Sequence, residues 1–213
     1  MAEASQKCSK NLNSAALSSN IIRLKKNCTV QVQCGFILKY NSFEKKLRLS
    51  LYQLVDFYTL FYLNFIRGNS RIDEHYWSNQ IETGKHRAWS GYAFEQVCLV
   101  HLKQIKHKLG ISGILTKVSS WHSAERTSGA QIDLLIDRND QVINLCEMKF
   151  SNTQFTIDKK YDENLRNKKD LFARETKTRK AIHITMATTY GIKQNEYSGG
   201  IQSEVKMDDL FNG

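Results

Sequence analysis

Gln131-Ile-Asp-Leu-Leu-Ile136 and Val142-Ile-Asn-Leu-Cys-Glu-Met-Lys-Phe150 are the two stretches on which the reading of this chain turns. Each is a short apolar run of strand length, and Asn139-Asp140 between them has the composition of a hairpin turn. Side chains on a strand alternate between faces, so Glu147 and Lys149 point one way while Met148 and Phe150 point the other. Asp133 interrupts an otherwise apolar strand, flanked by Ile132, Leu134, Leu135 and Ile136, and an ionised carboxylate in such a setting needs a partner. Asp133, Glu147 and Lys149 can therefore converge on one face.

Two carboxylates side by side resist ionisation unless positive charge lies between them, and a hard, oxygen-seeking cation such as Mg²⁺ supplies it. The ammonium of Lys149 would then hold an attacking water or steady charge developing on a phosphate. Against this stands a bland alternative, a Glu-x-Lys surface ion pair of little energetic consequence. Upstream, Gly91-Tyr-Ala-Phe-Glu95 opens a stretch in which Phe94, Val97, Cys98, Leu102, Ile105 and Leu109 recur at helical spacing. Glu95 borders that stripe and is a candidate third carboxylate; the alternative is a helix-terminal Glu favoured by the dipole.

The order helix Glu95, strand Asp133, strand Glu147-x-Lys149 resembles the PD-(D/E)XK nuclease superfamily. The segments Trp89-Ser-Gly-Tyr-Ala-Phe-Glu95, Gly129-Ala-Gln-Ile-Asp-Leu-Leu135 and Cys146-Glu-Met-Lys-Phe-Ser151 are similar to the C-terminal nuclease-like region of archaeal-type AAA ATPases, over about residues 36 to 211. The resemblance implies an α/β fold, a restriction-endonuclease-like mixed sheet flanked by helices and preceded by a winged-helix region. It also implies Glu95, Asp133 and Glu147 as metal ligands, Lys149 as the fourth catalytic residue and Mg²⁺ as cofactor. No Gly-x-x-x-x-Gly-Lys-Ser/Thr phosphate loop occurs in this sequence, so no ATP site is expected and the resemblance is to the nuclease-like part without its ATPase.

Length and charge suit that division. The 213 residues, 41% of them hydrophobic, accommodate one ordinary domain and a smaller one. The expected organisation is a disordered stretch over 1–18, a winged-helix-like region over 19–68, a connector over 69–87 and the nuclease-like domain over 88–213. The net charge is +10, and residues 1 to 70 carry ten Lys or Arg against three Asp or Glu. Such a basic excess favours polyanions, with DNA the expected partner; a protein partner stays open, and the sequence is silent on self-association. Gly35–Tyr40 and Leu47–Leu54 alternate like the strands of a hairpin, followed by a helix over Val55–Ile66 that is apolar nearly all round and reads as buried. Lys39, Lys45, Lys46 and Arg48 on that hairpin are candidate phosphate contacts, or else lysines guarding a sheet edge. Thr29-Val-Gln-Val32 is β-prone where a recognition helix would lie, which leaves the winged helix incomplete.

Further along, Gly113–Trp121, 131–138, 142–150 and Ala181–Ala187 read as four strands. The helix before the last is marked by Tyr161, Leu165 and Phe172 on its buried side, and the tail Val205–Phe211 reads as a short closing helix. Lys168 and Lys169 share an arc with Leu165 and Phe172 and are candidates for the site rim or DNA; the alternative is a solvated lysine pair. His101, His107 and His183 lack a metal-spaced partner. Five scattered cysteines and an N-terminus without an apolar core point to a reducing cytoplasm. No apolar segment approaches the roughly 20 residues of a bilayer span. Two functional classes follow: an Mg²⁺-dependent DNA phosphodiesterase, or a catalytically silent DNA- or protein-binding module left from a longer ATPase.

Overall fold

The structure is a computed structural model that describes residues 32–34, 36–43, 51–67, 74–81, 83–124 and 129–212. The disordered stretch expected over 1–18, residues 19–31 with most of the β-prone Thr29–Val32, and Lys45, Lys46 and Arg48 lie outside the described residues; Val32 and Gln33 are helical. The chain divides into two compact units, one made of residues 1–39 and 52–69, the other of 40–51 and 70–213.

In the first unit, the opening of β1 (Ile37–Ser42) and most of β2 (Leu51–Leu54) are strands as the alternation predicts. Asp56 then caps α1 (Phe57–Phe61) by accepting from the Thr59 amide, and the helix runs on into a π-helical turn, Tyr62–Ile66. The expectation of a buried helix is corrected here. Of its aromatic and aliphatic side chains only Phe65 is buried, while Tyr58, Tyr62, Leu63 and Ile66 are exposed. A helix covered on one side buries one stripe, so an all-round apolar pattern does not become an all-round core.

The second unit is a mixed α/β fold. Its sheet runs in the order β3 (Thr116–His122), β4 (Gln131–Arg138), β5 (Val142–Lys149), β7 (Ala181–Thr188), β9 (Ser203–Lys206), and the end of β1 joins β3 in parallel through Asn41 and Ser42. β3, β4 and β5 are antiparallel, whereas β7 and β9 add in parallel. Arg138 leads into the β4–β5 turn, where Gln141 takes a left-handed φ of 68°. A minor pair, β6 (Phe155–Thr156) and β8 (Ile192–Lys193), lies outside the main sheet.

One face of the sheet is covered by α5 (Lys159–Thr176), capped by Asp158, which accepts from the Tyr161 amide at 2.7 Å. Leu171 and Phe172 pack there with Trp121, Leu135, Ile143 and Leu145, and Leu165 packs with Ile184 and Met186. Trp121 and Phe43 both meet the Phe172 ring edge-on, at 5.3 and 5.2 Å between centroids.

Helix α3 (Gly84–Val100) begins seven residues before the Gly91 that the apolar stripe suggests. Its first turn is largely exposed and carries no hydrophobic period. What starts it is Thr83, whose hydroxyl accepts from the His86 amide at 3.2 Å. The connector before it holds one short helix, α2 (Tyr76–Gln80). The chain breaks at His101 and resumes as α4 (Leu102–Lys108). The tail is also corrected: Val205 lies fully buried in β9, and only Met207–Leu210 turns as a single 3₁₀ helix. Among the described residues no helix is long and apolar enough to cross a membrane.

Candidate functional site

The ladder between β4 and β5 ends at Leu134↔Cys146, after Leu135↔Leu145 and Ile136↔Asn144. Carried one step further, the same register sets Asp133 beside Glu147, and two steps beyond that Gln131 beside Lys149. Directly opposed residues on antiparallel strands have Cβ atoms about 4.5–5.5 Å apart. Asp133, Glu147 and Lys149 thus share the face on which α5 lies, and all three line an open cleft of about 650 Å³ together with Gln131, Asn167 and Lys168.

Glu147 is the most enclosed of the carboxylates, 8% exposed. Lys168, two turns into α5 from Tyr161, straddles it, with Nζ at 2.9 Å from Oε1 and 2.8 Å from Oε2. Lys149 Nζ stands 3.5 Å from the same Oε1, so two ammonium groups serve one carboxylate. Asp133 accepts from the Gln131 side-chain amide.

Glu95 lies three full turns into α3, away from the helix start, so the dipole account of a helix-terminal Glu does not apply to it. Burial raises its carboxyl to about 7, with the charges of Asp133 and Glu147 pushing the same way and Lys149 and Lys168 opposing them. The charges of Asp133, Glu147 and Lys149 thus all reach Glu95. Glu95 and burial together raise the Cys98 thiol to about 12, which leaves it an inert core group. Burial, reinforced by Glu147, raises the phenol of Tyr161, and its buried hydroxyl has no hydrogen-bond partner. Thr188, opposite Lys149 in the β5–β7 register, also has a fully buried hydroxyl without a partner.

Of the candidate DNA contacts, Lys168 is drawn into the cleft, Lys169 is half-buried beside it without lining the cleft, and Lys39 is exposed on β1. Gln131 escapes the sequence reading although its signal is legible, since it is the same-face companion of Asp133 at period 2. Tyr161 packs with the core around Leu165, Ile184 and Met186, on the buried side of its helix as expected.

As a place for a cation, the donor set is right in kind: hard carboxylate oxygens from two adjacent strands, with a third carboxyl within electrostatic reach. Among the described residues, however, no three His, Cys, Asp or Glu side chains are grouped so as to hold a metal ion. The oxygens of Glu147 are turned onto lysines. The donor types are those Mg²⁺ takes, and Glu147 would have to part from its lysines to offer them.

No family model matches the chain, and no curated protein matches it. A solved crystal structure, of a protein of unknown function called AF1548, matches at 14% identity over 55% of this chain with a TM-score of 0.38. The match spans 64% of that protein's length, and a likeness this shallow carries no argument.

Proposed function

We propose that this chain is an Mg²⁺-dependent DNA phosphodiesterase of the PD-(D/E)XK type, a cytoplasmic nuclease-like domain of the kind that follows the ATPase in archaeal-type AAA proteins. The observation that carries the proposal is the register that sets Asp133 beside Glu147, with Lys149 one same-face step further on. When bound, the cation supplies positive charge to the phosphoryl oxygens and acidifies water. Asp133 and Glu147 hold it there, and Glu95 completes the shell directly or through water. Lys149 keeps its donors directed into the cleft, where it orients water and offsets charge growing on the phosphate. The cleft is open to solvent and would admit a strand of DNA to these groups, and the basic N-terminal third would add non-specific hold on its backbone.

A second reading has its own observation. Lys168 and Lys149 already satisfy Glu147 without any cation, as they would in a binding module in which the acidic pair is structural. Purified chain incubated with duplex, single-stranded and branched DNA, with and without Mg²⁺, separates the two. Cleavage that needs the metal and disappears in Asp133→Ala is the expected result. No cleavage of any substrate, with Asp133→Ala more stable than wild type through loss of a poorly paired charge, overturns the enzyme in favour of the module.

A further inference from the structure

Lys168 does more than line the cleft: its ammonium spans both oxygens of Glu147 at 2.8 and 2.9 Å, the position a divalent cation would need. The pair is well shielded, with side-chain exposures of 19% for Lys168 and 9% for Glu147. An ion pair in such a place is far more costly to break on one side than a surface pair. A second ammonium, Lys149, stands beside it at 3.5 Å, so Glu147 would not be left unpaired if Lys168 withdrew. Tyr161, on the same face of α5, keeps a buried hydroxyl without a partner next to this carboxylate.

We propose that Lys168 is a built-in competitor of the cation, a positioning residue that holds Glu147 closed in the metal-free protein and must swing away for the metal to enter. The proposal rests on the metal reading of the site. Lys168 sits on a helix with four rotatable bonds in its side chain, and the cleft beside it is open, so withdrawal needs no backbone movement. Asn164 and Asn167 line the same cleft, and a released ammonium would stay within it, where a phosphodiester would also bind. Metal entry and the arming of a phosphate contact then become one event.

The test is Mn²⁺ binding by calorimetry on the full chain without DNA, comparing wild type with Lys168→Met. Lys168→Arg, which keeps the charge and the pairing, and Lys169→Met, which removes a neighbouring charge that does not pair with Glu147, serve as references. A competitor predicts that Lys168→Met binds Mn²⁺ at least tenfold more tightly than wild type, that Lys169→Met changes affinity less than threefold, and that Lys168→Arg resembles wild type. Melting curves in chelator show which variants are folded. If Lys168→Met does not fold, Lys168→Gln takes its place with the same expectation. Equal or weaker binding by the neutral variant, with wild type binding normally, refutes the competitor and leaves the metal site standing. Absence of Mn²⁺ binding in every variant overturns the metal reading and the competitor together. Binding by Lys168→Met alone supports both.

Discussion

Glu95 offers a perturbation whose size and sign can be worked out without any metal. Its carboxyl rises from 4.5 to about 7 on folding, chiefly through burial, with Asp133 next. A raised folded value means that the native state holds the proton more firmly. The associated stability is fully present below pH 4.5 and is lost as pH climbs through about 7. A shift of this size is worth roughly 3 kcal/mol at about 1.4 kcal/mol per pH unit. Because the side chain is only part-buried, screening by water brings the expected effect down to about 1–2 kcal/mol. Glu95→Gln mimics the protonated acid at every pH. In chelator, urea unfolding should find variant and wild type alike at pH 4.5, and the variant more stable by about 1–2 kcal/mol at pH 8. With a urea slope of about 2 kcal/mol/M, that moves the midpoint by roughly 0.5–1 M. A variant that is destabilised equally at both pH values would show that the side chain contributes through packing or hydrogen bonding, and the burial argument would be wrong.

Four further outcomes are expected. Asp133→Ala should lose Mg²⁺ binding and cleavage together, whereas Lys149→Ala should keep the metal while cleavage falls by about 10²- to 10⁴-fold in a single-turnover assay. Gly191→Ala should destabilise the second unit by about 1–3 kcal/mol in denaturant titration. Gly191 sits at a φ of +87°, and an added methyl would meet the Glu204 carboxylate at 2.5 Å. Phe172→Ala should cost about 3–5 kcal/mol in the same titration, because it empties the site against which Trp121 and Phe43 stack. Replacing Lys39, Lys45, Lys46 and Arg48 together by Ala should flatten the slope of log affinity for duplex DNA against log salt by up to about 3–4, if all four touch phosphates.

The second unit was largely legible because its central strands are apolar runs of strand length, buried on both faces and bounded by a turn. Leu135, Ile143 and Leu145 face α5 as the period requires, and the same period put Asp133, Glu147 and Lys149 on that side. Where the reading failed, the signal was short-range hydrogen bonding rather than hydrophobic rhythm. Thr83 starts α3 over a turn with nothing to bury, and Val205 is the only apolar residue in a four-residue strand, too little for any periodicity to register. The aromatic run after Val55 misled in the opposite way, since its composition resembles a core while most of its rings stand exposed. Lys168 could be placed on the right arc from sequence. Its choice of Glu147 could not, because pairing across 21 positions depends on how α5 lies over the sheet.

The turn at Asn139, Asp140 and Gln141 lies about 20 Å along β4 from Asp133, six residues at roughly 3.3 Å each, yet it calibrates the acidic pair. Strand register has no fractional setting: a slip of one residue carries a whole strand's side chains to the opposite face. A single residue inserted in this turn has two fates. It can bulge outward and leave the pair intact, or it can be drawn into the ladder and turn Asp133 away from Glu147 into the layer that holds Leu134 and Ile136. An insertion that enters the ladder parts Asp133 from Glu147, whereas one that bulges outward spares them, so the fourteen positions between the two carboxylates matter only as far as the turn absorbs a change in its own length.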